Sequence, residues 1–124
     1  MIVYLAGPIE MIRDGDYINE TEWRLLCADA LASSGHTAYN PVTAWAGVTE
    51  DIWQGVRKIN RLALKNADGL LAGFPNGNYG FETIREIEAC EPGVRRMAWG
   101  PKPHSMGTLD IYWHKTWEES ISFI

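Results

Sequence analysis

The sequence predicts an α/β domain on a parallel sheet of four to five strands, with helices on both faces. Three observations predict it. Short apolar, β-branched runs such as "IVYLAG" and "GLLAGF" alternate with segments of helical periodicity. The connections between them are short, as strand–helix–strand crossovers in one sheet require. At 124 residues, with 46% hydrophobic and 22% charged content, the chain suits a single soluble domain spanning residues 1–124.

Each element follows in order. "IVYLAG" ends in Gly7-Pro8 and reads as a buried first strand. "YINETEWRLLCADALASSG" sets Trp23, Leu26, Cys27, Ala30 and Leu31 at helical spacing, and Gly35 stops it. "HTAYNP" is a second strand halted by Pro41. "TEDIWQGVRKINRLALKNAD" is amphipathic through Ile52, Val56, Ile59, Leu62 and Ala63, with Thr49 placed to cap it. "GLLAGF" is a third strand, and a loop runs from Pro75 to Gly80. "FETIREIEAC" is a third long helix, closed by Pro92-Gly93, and "VRRMAWG" a fourth strand. The tail "TLDIYWHKTWEESISFI" has room for a fifth strand and a short helix. No internal repeat or linker interrupts the chain.

Composition excludes several classes of function. A net charge of -5 without a basic stripe argues against nucleic-acid binding. "RRMAWGPKPH", the one locally basic stretch, reads as solvated surface. Cys27 and Cys90 lack metal-ligand spacing and read as two reduced, buried thiols; His36, His104 and His114 are scattered. Neither a metal nor a redox cofactor is expected. The chain opens on strand-like "MIVYLAG" without a basic leader or a long apolar span, which implies a cytoplasmic protein with no membrane association.

In parallel sheets ligands bind beyond the carboxyl ends of the strands, where the strand order reverses. The loops on that edge are Gly7 to Asp16, Asn40 to Asp51, and Pro75 to Glu82. Asp68, before the third strand, starts at the opposite edge and reads as structural. The loop-to-helix stretch "NGNYGFETIRE" carries the chemistry of interest. Gly77 and Gly80 allow close backbone approach to a ligand. Glu82 falls in a first helical turn, where the helix dipole favours a carboxylate. That position suits a nucleophilic carboxylate, but spacing alone favours an ordinary helix-start residue. Glu86 and Glu88 lie further along and read as solvated. Tyr79, Phe81 and Trp45 offer aromatic faces for a flat base, although Phe81 also suits packing beneath the sheet.

"VYLAGPI", the "AD" before the third strand, and the glycine loop ending Gly80-Phe81-Glu82 resemble, together and in this order, the nucleoside 2-deoxyribosyltransferase family. Deoxynucleoside-monophosphate N-glycosidases share its fold. The resemblance covers most of residues 1 to 90 and not the tail from about Pro101. It implies a flavodoxin-like or Rossmann-like domain acting on the N-glycosidic bond of a (deoxy)nucleoside or its 5′-monophosphate. The loop glutamate of that family attacks the anomeric carbon and forms a covalent glycosyl-enzyme; by position it is Glu82 here. A strand tyrosine that orients the glutamate matches Tyr4, and the Gly7-Pro8 turn would floor the pocket.

Three positions depart from the family pattern. Asn76 stands where an aspartate or serine precedes the nucleophile by six residues. Asn60 stands where an aspartate precedes the "AD" motif, and Glu86 replaces an alanine. An asparagine hydrogen-bonds a base or hydroxyl but supplies no proton as an acid does. The carried-over substrate-binding set is therefore Gly7, Pro8, Trp45, Asn60, Asn76, Asn78 and Gly80, with Asp14, Asp16, Glu50 and Asp51 as substitute acids on the same edge. The asparagines also motivate a rival reading, a non-catalytic nucleotide-binding module of this fold. Six tryptophans point to an apolar subunit interface and a homodimer or higher homo-oligomer. The resemblance implies that a neighbour's C-terminal segment, here Tyr112 to His114, completes the pocket.

Overall fold

The computed structural model describes residues 1–8, 22–44, 53–75, 77, 79, 81–103 and 110–124, apart from the side chains of Trp53, Gln54 and Phe81. Within them the chain runs β1 (Ile2–Ala6), α1 (Trp23–Ser33), β2 (Thr37–Tyr39), α2 (Pro41–Ala44), α3 (Trp53–Lys65), β3 (Gly69–Gly73), α4 (Phe81–Ala89), β4 (Arg95–Trp99), β5 (Tyr112–His114) and α5 (Trp117–Ile121). All four strand pairings are parallel and the order is β2-β1-β3-β4-β5. This is the flavodoxin-like order. The chain leaves β1 toward β2 and returns to the other side of β1 as β3, so strand order reverses between β1 and β3. The tail supplies both the fifth strand and the short helix.

Alternation along β1 builds the two faces. Tyr4 and Ala6 point to one side, where Leu64 of α3 and Ile87 of α4 pack with Leu70, Ala72, Phe74 and Ala98. Val3 and Leu5 point to the other, against Trp23, Cys27 and Leu31 of α1, Leu71, Met97 and the flanking Trp117 and Ile121 of α5. Gly73 makes the second face possible. A Cβ there would overlap the Trp23 ring and crowd Trp99, whose indoles meet edge to face at 5.3 Å. Both thiols are free and buried, and burial with the nearby Glu118 charge pushes the Cys27 thiol up to about 12.

The amino edge of the sheet is tied together by Asp68. Its carboxylate accepts from the Ile2 N–H at 2.7 Å, its own N–H donates to Ile2 O at 2.8 Å, and its carbonyl accepts from Arg95 N. One residue thus joins the start of β1, β3 and β4, which is the structural part its position suggests.

Two helices turn differently from the expectation. Leu26 of α1 and Ile59 and Leu62 of α3 are exposed rather than core. In α1 the sheet takes the i, i+4, i+8 stripe Trp23, Cys27, Leu31, and each residue steps about 100° around the axis, so Leu26 is carried off that stripe. In α3 the inward stripe is Val56, Asn60, Leu64, with a polar residue at its middle. That rotation opens Asn60 to a cleft and turns Ile59 and Leu62 outward.

Trp99 and Trp113 pack within their own chain, and Trp117 sits against the second core. Trp113 stacks on Phe74 and donates its indole N–H to Gly100 O at 2.7 Å. Tyr112 to His114 form β5, the edge strand. No helix of the described residues is long and apolar enough to cross a membrane.

Candidate functional site

A cleft of about 250 Å³ opens between α3 and α4 over β1, beside the point where the strand order reverses. Its floor is Tyr4, Leu5, Ala6 and Gly7. Asn60, Arg57 and Arg61 line the α3 side, and Glu82, Arg85 and Glu86 the α4 side.

Gly7 sits at the end of β1 with φ +150, a region open to glycine. A Cβ at this position would fall 2.7 Å from Gly73 O and 2.9 Å from Arg24 Nη2, so the floor closes only without a side chain. Arg24, fully buried, reaches over from α1 and fastens that turn. Its Nε donates to Leu5 O at 3.3 Å and its Nη2 to Gly7 O at 2.5 Å. The same guanidinium lies 5.3 Å from the Trp23 ring centroid. A charged group in a buried position is stable only when its donors are used, and the strand-end carbonyls use them.

Tyr4 is stacked on Tyr39 at 5.3 Å, and Tyr39 donates its hydroxyl to Asn60 Oδ1 at 2.8 Å. The Tyr4 hydroxyl itself is buried facing the Glu86 carboxyl, and among the described residues it makes no hydrogen bond of ordinary length. A buried hydroxyl this weakly bonded marks a place where a ligand or a moving side chain completes the contact. Burial, and then the adjacent Glu86 charge, push this phenol far above its ordinary range, so it stands as a protonated donor.

Two carboxylates of α4 meet the cleft, one helical turn apart. Glu82 is at the rim, 48% exposed, with Arg57 Nη2 3.5 Å from its Oε1. Glu86 lies deeper, beside Tyr4. Burial raises its carboxyl above the usual carboxylate range, the Tyr4 hydroxyl and the Arg24 charge pull it back, and Glu82 raises it again. The expectation that Glu86 is solvated is therefore corrected. An i, i+4 pair shares one helix face, so a helix that turns Glu82 toward the cleft turns Glu86 toward it as well.

Of the residues singled out in the sequence, Tyr4, Gly7, Asn60 and Glu82 come together around this cleft. Pro8 is buried directly after Gly7 and does not line it. Trp45, Asn76, Asn78 and Gly80 lie outside the described residues, as do Thr49, Asp14, Asp16, Glu50 and Asp51. Tyr79 is engaged elsewhere: its hydroxyl donates to Pro101 O at 2.6 Å and its ring leans on Phe74. The sequence reading missed Arg24, Arg57, Arg61, Arg85 and Glu86. Arg24 had a signal, since it sits at i−3 and i−7 from the buried Cys27 and Leu31. Arg57 and Arg61 had one too, an i, i+4 basic pair flanking Asn60. Among the described residues no cluster of three or more His, Cys, Asp or Glu side chains is arranged to hold a metal ion.

Comparison with known proteins places the fold. The chain is similar to the solved structure of a 2-deoxyribosyltransferase from Bacillus psychrosaccharolyticus, with a TM-score of 0.75 over 97% of this chain and 90% of that one, at 20% identity. No protein-family model matches the chain, and no curated protein matches it. At that identity the likeness shows a shared flavodoxin-like architecture.

Proposed function

We propose that this protein is an enzyme acting at the N-glycosidic bond of a (deoxy)nucleoside or its 5′-monophosphate, through a covalent glycosyl-enzyme on a carboxylate of α4. One observation carries the reading: two glutamates one turn apart open on the same cleft as a buried tyrosine hydroxyl that faces the deeper of them, at the reversal point of the sheet. The shared architecture with a 2-deoxyribosyltransferase supports it.

The residue types suit the chemistry. A carboxylate oxygen bonds to C1′ while the C1′–N bond breaks, and the electron pair leaves with the base nitrogen, which takes a proton. In the second step an acceptor base (transfer) or water (hydrolysis) attacks C1′ and the ester to the enzyme opens. Two displacements retain configuration, and negative charge at the anomeric face stabilises the oxocarbenium-like transition states.

The resemblance assigns the attack to Glu82. In that assignment Glu86, whose burial favours its protonated form, gives the proton to the departing base, the part that Asn60 is unable to fill. The position of Tyr4 favours a second assignment, with the roles exchanged. Its hydroxyl stands beside Glu86 and would orient that carboxylate for attack, with Glu82 at the rim assisting the base.

The test is incubation with mixed nucleosides and 5′-monophosphates, with and without free acceptor base, followed by chromatography. New nucleosides indicate transfer, and free sugar or sugar phosphate indicates hydrolysis. Peptide mapping after an acid quench assigns the sugar adduct to Glu82 or Glu86. Tight nucleotide binding with no base released over hours would instead establish the non-catalytic module.

A further inference from the structure

The charges around the cleft distinguish a sugar with a free 5′-hydroxyl from one with a 5′-phosphate. Among the described residues, four of the chain's eleven Lys and Arg residues line it, Arg24, Arg57, Arg61 and Arg85, against the two acids Glu82 and Glu86. Among those residues the lining carries more cations than acids, in a chain whose net charge is -5. A nucleoside is neutral near pH 7 and gives that surplus nothing to meet. A phosphomonoester carries about −1.5 to −2 there and accepts several charge-assisted hydrogen bonds.

The charges are also sorted by wall. The α3 wall contributes Arg57, Asn60 and Arg61 and no acid, whereas both acids stand on α4. In a β-nucleoside the base and C5′ share one face of the sugar ring, and a carboxylate attacks C1′ from the other. A sugar whose C1′ faces the α4 carboxylates therefore directs its 5′ end toward α3. There Arg57 and Arg61, at i and i+4, share one side of the helix. Arg57 is available to a stronger anion, because its pairing with Glu82 is half-exposed and such pairs are worth about 0–1 kcal/mol. Arg61 pairs with no carboxylate of the described residues. Arg24 is already committed to the Leu5 and Gly7 carbonyls and shapes the floor. The Tyr4 hydroxyl, which makes no ordinary-length hydrogen bond among the described residues, gives the floor a polar group for a ligand to meet.

We infer that the cleft takes nucleoside 5′-monophosphates, with Arg57 and Arg61 of α3 holding the phosphate. The inference rests on the N-glycosidic reading for the placement of the sugar, and its test separates the two. Calorimetry on the full chain at pH 7.5 compares each deoxynucleoside 5′-monophosphate with its parent nucleoside, while base release is followed in parallel. The monophosphate binds about tenfold more tightly or better, and added salt narrows the gap. The double variant Arg57→Gln/Arg61→Gln collapses the ratio, whereas Lys58→Gln, which removes a charge from the same helix away from the cleft, keeps it. Equal affinities, or a ratio untouched by the double variant, would overturn the phosphate site and leave N-glycosidic cleavage of nucleosides standing. Selective monophosphate binding without any base release would uphold the site and remove the catalytic reading.

Discussion

Asp68 and Glu86 are carboxylates at opposite ends of the same sheet, and the contrast between them separates architecture from chemistry. Asp68 at the amino edge has its oxygen on the Ile2 N–H and its own backbone groups tied to Ile2 and Arg95. Glu86 at the carboxyl edge is pressed into a cleft, its carboxyl held above the usual range by burial, beside the buried Tyr4 hydroxyl. One acid is satisfied and holds three strands in register. The other is held in an unfavourable state that folding alone does not require, which is where physical chemistry directs a search for function.

The sharpest break of this comparison is removal of the acids. Glu82→Gln and Glu86→Gln are expected to differ in kind: loss of the attacking carboxylate lowers base release on the order of 10⁴-fold or more, while loss of a proton donor costs about 10²–10⁴-fold. Steady-state rates against pH refine the assignment. If Glu86 attacks, it must be ionised, so activity is lost as pH falls through its raised value. If Glu86 donates the proton, activity is lost as pH rises through it. Loss of neither limb in Glu86→Gln would detach this residue from the reaction.

Tyr4→Phe comes next, with a fall in kcat of about tenfold from the loss of one oriented hydrogen bond. Thermal melting of the same variant should show little change in stability, because the deleted hydroxyl makes no ordinary-length hydrogen bond among the described residues. Asp68→Ala should do the reverse. It leaves the Ile2 N–H without its acceptor and lowers unfolding free energy by about 1–3 kcal/mol in urea titration, with kcat of the remaining folded enzyme unchanged.

The smallest expected effect is thermal. The Glu86 carboxyl has a folded value above its unfolded one, so its contribution to stability is present at low pH and is lost as pH rises through the folded value. Glu86→Gln should raise the melting temperature by a few degrees near pH 8, and the gain should vanish near pH 4. A gain that persists in acid would mean that burial of the charge is not its source.

The architecture was legible because it is encoded locally. Apolar runs, glycine and proline stops and the helical period each report on their own neighbourhood, and the alternation then dictates a parallel sheet. The tail yielded β5 and α5 from the same signals. Helix rotation was less legible. Ile59 and Leu62 look like core in "VRKINRLAL", yet the sheet and cleft take Val56, Asn60 and Leu64, because what faces inward depends on a cleft that no local pattern describes. Gly7 and Glu82 were found from position on the strand edges, Tyr4 and Asn60 from the family resemblance. Arg24 was missed because its partners, the carbonyls of Leu5 and Gly7, are backbone atoms far along the chain that have no residue-type signature. Glu86 was read as solvated because its environment is made by β1 and α1 rather than by its own helix.

The Trp23–Trp99 pair has a consequence for how this protein is observed. Two indoles crossing at 79° with centroids 5.3 Å apart are placed to couple their intense transitions, and a paired, opposite-signed band is expected in far-ultraviolet circular dichroism. Trp23 also lies under the Arg24 guanidinium that grips the Gly7 turn, so a sub-ångström adjustment of the cleft floor is passed to one chromophore of the couple. A change in that band on adding a nucleotide is therefore the expected label-free optical sign of binding, read from the far face of the sheet.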